Sequence, residues 1–211
     1  VNNESEVLAL AQTIYELGGI EFGSYTLGRS TVNSPVYINP KVLCSNPEAL
    51  RAAAHVMLEE IRSRQQLRRP QCGSFDLIAG VPLGGLNLAT AMSLESGIPL
   101  IYVNPNPSGG SRIEGRYLPG QTVLIVDDLV TSGGSISATV LALRSVDLRV
   151  TDAAVLIDRE RAGDSQRAGA EVNLFSILHL RRILNYYMSR GWISEDNYQR
   201  SQNYLRAGSA E

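Results

Sequence analysis

The run Val123-Leu124-Ile125-Val126-Asp127-Asp128-Leu129-Val130-Thr131-Ser132-Gly133-Gly134-Ser135 concentrates more chemistry than any other stretch of the chain. Four apolar residues lead into two adjacent carboxylates. A turn of hydroxyls and glycines follows, and a helical pattern begins at Ile136. The first N–H groups of a helix have no intrahelical partner and carry the positive end of its dipole, so they suit a phosphate. Thr131, Ser132 and Ser135 add hydroxyl donors, while Gly133 and Gly134 let the backbone approach an anion closely. Asp127 and Asp128, a few residues upstream, can accept hydrogen bonds from a ribose diol or bind Mg²⁺ through water. Phosphate at one end and sugar hydroxyls at the other describe a ribose 5-phosphate. The competing reading is an ordinary strand-to-helix turn. The whole string, rather than its glycines, argues for the ligand.

The elements around this string follow from periodicity. Val7, Leu10, Ala11, Ile14 and Leu17 share a helical face over 6–17, with Asn3 and Glu6 at capping-box spacing and Gly18-Gly19 as the stop. Residues 20–27 and 36–38 read as a small antiparallel element. Asn46-Pro47 opens a helix to about Gln66, a cap residue followed by proline at the first helical position. Short apolar strands at 76–80, 99–103, 123–126, 153–157 and 172–178 alternate with helices at 86–94 and 136–144, and two helices finish the chain. Strands alternating with helices predict an α/β fold with a mostly parallel sheet, and ligands in such sheets bind beyond the carboxyl ends of the strands. The fully apolar run 123–126 belongs at the centre, with both faces buried.

The 211 residues predict a single domain, 1–211, with a small N-terminal hood from about 1–40. Hydrophobic residues at 44% and charged residues at 19% are enough for a packed core. A net charge of -2 argues against bulk electrostatic binding of nucleic acid or acidic membranes. No apolar run reaches the roughly 20 residues of a spanning helix, and the first residues show no secretory pattern. Cys44 and Cys72 lack metal spacing, and two free thiols in a reducing cytoplasm are expected. Lys41 is the only lysine, so any mechanism that needs two is excluded for this chain alone. The remaining basic residues are arginines, whose planar guanidinium does different work. The cluster Arg62, Arg64, Arg68 and Arg69 reads as a solvated helix end. His55 falls on the apolar side of its helix, and the tyrosines and tryptophan of the C-terminal helices read as core or dimer contacts.

The 123–135 string resembles the phosphoribosyl pyrophosphate (PRPP) signature of type I phosphoribosyltransferases. Other stretches are similar to orotate phosphoribosyltransferases in particular. Phe22-Gly23-Ser24-Tyr25-Thr26-Leu27 and Ser34-Pro35-Val36-Tyr37-Ile38 resemble that family's hood. Gly80-Val81-Pro82-Leu83-Gly84-Gly85-Leu86 resembles its pyrophosphate loop, Ile113-Glu114-Gly115 the return from its catalytic loop, and Asp158-Arg159 its base-binding arginine segment. The resemblance implies the type I phosphoribosyltransferase fold and a likeness over nearly the whole chain. It implies that Thr131, Ser132, Gly133, Gly134 and Ser135 hold the 5-phosphate and that Asp127 and Asp128 face the ribose hydroxyls. Pro82, Leu83, Gly84 and Gly85 would lie beside the pyrophosphate. Arg159 would meet the orotate carboxylate or carbonyl edge, with Tyr37, Ile38 and Thr131 around the ring. It further implies Mg²⁺ with PRPP and a homodimer. Read from its neighbours alone, Arg159 would instead be a strand-end surface residue paired with Glu160.

The family carries Arg, Lys and His on a mobile loop that stabilises the leaving pyrophosphate. The equivalent stretch here, Asn104-Pro105-Asn106-Pro107-Ser108-Gly109-Gly110-Ser111, has none of them. The family's lysine after the hood run falls on Gly28, beside Arg29, and Leu83-Gly84 stands where many relatives place Tyr-Lys. Removing one preorganised donor costs about 10²–10³ in rate. Arg112 and Arg116 follow the loop and read as exposed strand charges. The first expectation is therefore a protein that binds PRPP or a ribose-5-phosphate nucleotide with weak or no transferase activity and a sensing role. The alternatives are a working orotate phosphoribosyltransferase, or a subunit that borrows a loop from a protein partner.

Overall fold

The computed structural model describes residues 3–27, 31–106, 112–159 and 172–207. Helix α1 spans Asn3–Glu16, and strands β1 (Ile20–Leu27) and β2 (Thr31–Ile38) pair as an antiparallel hairpin. A 3₁₀ turn, Pro40–Ser45, leads into α2 (Pro47–Gln66). Then come β3 (Leu77–Gly80), α3 (Gly84–Ser96), β4 (Leu100–Val103), β5 (Ile113–Glu114) and β6 (Thr122–Val130). The chain closes with α4 (Gly134–Arg144), β7 (Arg149–Asp158), β8 (Asn173–His179), α5 (Leu180–Ser189) and α6 (Glu195–Ala207). Among the described residues no helix is long and apolar enough to cross a membrane.

The main sheet runs β5-β4-β3-β6-β7-β8 and is parallel except for β5 against β4. This is the type I phosphoribosyltransferase arrangement expected of the chain. β6 lies between β3 and β7, and both of its faces are buried, as its unbroken apolar run predicts. Leu124 and Val126 face a core shared with α1, α2, α3 and the C-terminal helices. Val123 and Ile125 face the α4 side. Gly80 pairs with Val126, so β6 continues four residues past the end of β3 and carries Asp127 and Asp128 there.

Local signals act as expected at α2. Asn46 Oδ1 accepts from the N–H groups of Glu48 (3.0 Å) and Ala49 (3.1 Å), and Pro47 occupies the first turn. Two expectations need correction. Helix α1 is already helical at Asn3, so Asn3 lies within the first turn rather than capping it. His55 points outward, and its Nδ1 lies 2.7 Å from Glu95 Oε1 on α3. That partner lies on an element forty residues away, which the helical pattern of α2 alone does not reveal. The aromatic residues tie the two ends of the chain together. Tyr187 is fully buried, Tyr15 stacks on Trp192, and Tyr15 Oη donates to the Trp192 carbonyl (2.8 Å). At the basic end of α2, Arg62, Arg68 and Arg69 are exposed as expected, whereas Arg64 pairs with Glu60 and packs over the Phe175 ring, 4.5 Å from its centroid, and so is not a solvated charge. Cys44 and Cys72 are free thiols, and burial pushes the Cys72 thiol up to about 11.

Candidate active site

The connection from β3 through α3 leads outward to β4, whereas that from β6 through α4 leads the opposite way to β7. α3 packs on one face of the sheet and α4 on the other. The carboxyl ends of β3 and β6 therefore flank a switch point in strand order, where an open α/β sheet leaves a crevice. Both helices begin at this crevice, and neither start carries a side-chain cap. In α3 the Leu86 N–H donates back to the Val81 carbonyl (3.1 Å), and the N–H groups before it, like those that begin α4, are left to face whatever enters.

The α4 side is the hydroxyl-and-glycine turn. Gly133 has φ +77°, a left-handed conformation that favours glycine, and precedes the first helical residue. Thr131 is half-buried, while Ser132, Gly134 and Ser135 are exposed. The two glycines differ in kind. Gly133 supplies a backbone conformation, whereas a Cβ on Gly134 would meet only Ser132 Oγ, at 3.9 Å.

The α3 side is the turn 81–85, in which the Pro82–Leu83 peptide is cis and the Leu83 side chain is exposed. It lies directly on the acidic pair. A Cβ on Gly84 would fall 2.1 Å from Asp128 Oδ2, and one on Gly85 would fall 2.4 Å from the Val126 carbonyl oxygen. Both carboxylates are nearly buried at the crevice floor. The Asp128 N–H donates to Asp127 Oδ1 (2.9 Å). Burial, then the charge of the Asp128 carboxylate and its side-chain hydrogen bond, push the Asp127 carboxyl up to about 8, against the opposing pull of the Asp128 N–H. Asp128 Oδ2 accepts no hydrogen bond but lies 3.2 Å from Lys41 Nζ. Lys41 stands on the 3₁₀ turn after β2 with its side chain 54% exposed.

The raised Asp127 predicts a pH dependence of stability. Between its ordinary value of 3.8 and about 8, the folded chain keeps a proton that the unfolded chain has lost. Asp127 therefore contributes fully below the lower value, and that contribution disappears as pH rises through the upper one. Asp127→Asn keeps the acceptor oxygen and cannot ionise. Without ligand, the thermal midpoint of the variant relative to the wild type rises between about pH 5 and about pH 9, by a few degrees. A gap that stays flat with pH would show that Asp127 ionises normally in the folded protein.

Arg159 begins the loop after β7, and its N–H donates to the Val130 carbonyl (3.1 Å). Its side chain is 3% exposed, which rules out the reading as a surface arginine. Nη2 donates to Ser34 Oγ (3.1 Å) and to the Val36 carbonyl (3.4 Å), joining the hood to the end of the sheet. The structure thus brings Arg159 to the hood strand that carries Tyr37 and Ile38. The Ile38 side chain is buried in the core. Tyr37 alternates to the other side of the strand, where its ring lies 5.4 Å from that of Tyr25.

Beyond β4, Asn104 Nδ2 donates to Glu114 Oε1 (3.1 Å), and Arg112 and Arg116 are exposed, as expected. Gly28, Arg29, residues 107–111 and Glu160 lie outside the described residues. Sequence reasoning missed two members of the site, Lys41 and Ser34. Being the only lysine was a signal for the first, whereas nothing local distinguished the second.

Comparison with known proteins agrees with this geometry. The phosphoribosyl transferase domain family matches residues 43–178. An orotate phosphoribosyltransferase of Caenorhabditis elegans is 33% identical over 188 residues, covering 88% of this chain and 79% of that protein. One from Pyrobaculum islandicum is 32% identical, covering 93% and 97%. The structure of Leishmania donovani UMP synthase superposes with a TM-score of 0.85 at 27% identity, covering 98% of this chain and 43% of the larger one. The family match and the two full-length relatives place the chain in the orotate phosphoribosyltransferase family.

Proposed function

We propose that the protein transfers the phosphoribosyl group of PRPP to orotate, forming orotidine 5-phosphate and pyrophosphate. The observation that carries this reading is the pairing of two uncapped helix starts across one crevice, with the acidic pair between them. The α4 turn, 131–135, anchors the 5-phosphate, and the α3 start receives the diphosphate. The bond from the anomeric carbon to pyrophosphate breaks and the pair of electrons leaves with the pyrophosphate. An orotate ring nitrogen then bonds to that carbon, and its proton passes to the departing pyrophosphate or to water. Asp127 and Asp128 accept from the ribose hydroxyls, and Arg159 meets the orotate carboxylate as a forked cationic donor.

Mg²⁺ fits the acidic pair. Asp128 Oδ2 is a buried carboxylate oxygen that accepts no hydrogen bond. Among the described residues no group of three or more His, Cys, Asp or Glu side chains is placed to hold a metal ion. Asp127 and Asp128 would therefore hold the ion together with water and substrate phosphate oxygens. When bound, the ion neutralises phosphate charge.

Relatives named for this activity favour the transferase over a protein with weak or no turnover. The absence of Lys, Arg and His from 104–111 is the observation that favours the latter. One assay separates them: purified protein with orotate, PRPP and Mg²⁺. The expected result is orotate loss matched by pyrophosphate release, with turnover at or above about 1 s⁻¹. PRPP binding without orotate loss would support the second reading. Co-purification with a loop-bearing relative from the native cell would support a hetero-oligomer in place of a homodimer.

A further inference from the structure

We infer that Lys41 is the cation that meets the diphosphate of the bound substrate, turning from Asp128 to the anion at the start of α3. This rests on the proposed transferase reading. The position of the ammonium supports it. Lys41 Nζ lies 3.2 Å from Asp128 Oδ2, the same oxygen that a Cβ on Gly84 would meet at 2.1 Å. Lysine and the first turn of α3 thus flank one carboxylate oxygen. An anion docked on the open N–H groups of that turn comes within reach of the ammonium.

The character of the contact points the same way. Asp128 Oδ2 accepts no hydrogen bond, so the pair is held by charge rather than by direction. The lysine side chain is half exposed, and its stem has the freedom to swing a point charge between two anions. Among the described residues the alternatives for this task are limited. Arg159 is buried and its guanidinium is turned to the hood, and Arg112 and Arg116 are exposed beside β5, at the far edge of the sheet. The stretch 104–111 contains no basic residue. A departing diphosphate gains charge as its bond breaks, so a cation at this place stabilises the transition state more than the ground state.

The test compares wild type, Lys41→Met and Lys41→Arg by calorimetry with three probes: inorganic pyrophosphate, PRPP and ribose 5-phosphate. Lys41→Met should weaken pyrophosphate and PRPP by about tenfold or more while leaving ribose 5-phosphate within about twofold. Lys41→Arg should restore most of the loss. In the orotate assay, Lys41→Met should lower kcat by about 10²–10³ with little change in the KM for orotate. Ribose 5-phosphate binding also reports whether each variant folds. Equal losses for all three probes, or no loss for pyrophosphate, would overturn the inference. If pyrophosphate binding depends on Lys41 but orotate is never consumed, the transferase reading fails and this one stands. A wild type that binds none of the probes overturns both.

Discussion

Gly84→Ala lowers kcat/KM by about 10²-fold or more and costs the ligand-free protein about 1–3 kcal/mol of stability. The added methyl would lie 2.1 Å from Asp128 Oδ2, 2.2 Å from Cγ and 2.4 Å from Oδ1. No heavy atoms pack that closely, so either the carboxylate or the first turn of α3 has to move. Asp128 has little room to yield. It is 6% exposed, its N–H is bonded to Asp127, and its outer oxygen faces Lys41. A displaced α3 start carries its N–H groups away from the diphosphate, so activity falls along with stability. Gly134→Ala is the matched control at the other helix start. Its methyl meets only Ser132 Oγ at 3.9 Å, so without ligand its thermal midpoint stays close to wild type. Midpoints from thermal melts and steady-state kinetics check both. Equal midpoints for the two variants would mean that the α3 turn does not press on the acidic pair.

Arg159→Met raises the KM for orotate by about 10²-fold and destabilises the protein by about 2 kcal/mol, while PRPP affinity changes little. The guanidinium is buried, and two of its contacts are to the hood, Ser34 Oγ and the Val36 carbonyl. Methionine fills similar volume but removes both bonds between sheet and hood, leaving Ser34 Oγ and the Val36 carbonyl with their bond to each other (2.7 Å). Arg159→Lys restores charge without the planar fork and recovers only part of the orotate affinity. Orotate titrations and PRPP calorimetry on the same preparations separate the two ligands. An equal loss for both would reduce Arg159 to a strut between hood and sheet.

What the sequence discloses here is local. The apolar run 123–126 announces a strand with two buried faces, because a strand lined by neighbours on both sides has no polar face to show. Asn46-Pro47 announces α2 because the cap oxygen and the fixed proline torsion act within one turn. The turn at 131–135 is legible for the same reason. The rest depends on packing between distant segments. Arg159 meets Ser34 across 125 residues, and Lys41 meets Asp128 only because the hairpin and its 3₁₀ turn fold over the end of β6. No residue pattern of period 2 or 3.6 encodes such a meeting. The outward turn of His55 to Glu95 is another case, set by how α2 lies against α3.

The most direct test of the ligand geometry is a crystal structure of the protein with PRPP and Mg²⁺ bound. The 5-phosphate is expected on the backbone of 131–135, the diphosphate at the first turn of α3, and the ribose hydroxyls against Asp127 and Asp128. Saturating PRPP that leaves the 131–135 turn bare, or that lies at the opposite end of the sheet, would contradict this geometry.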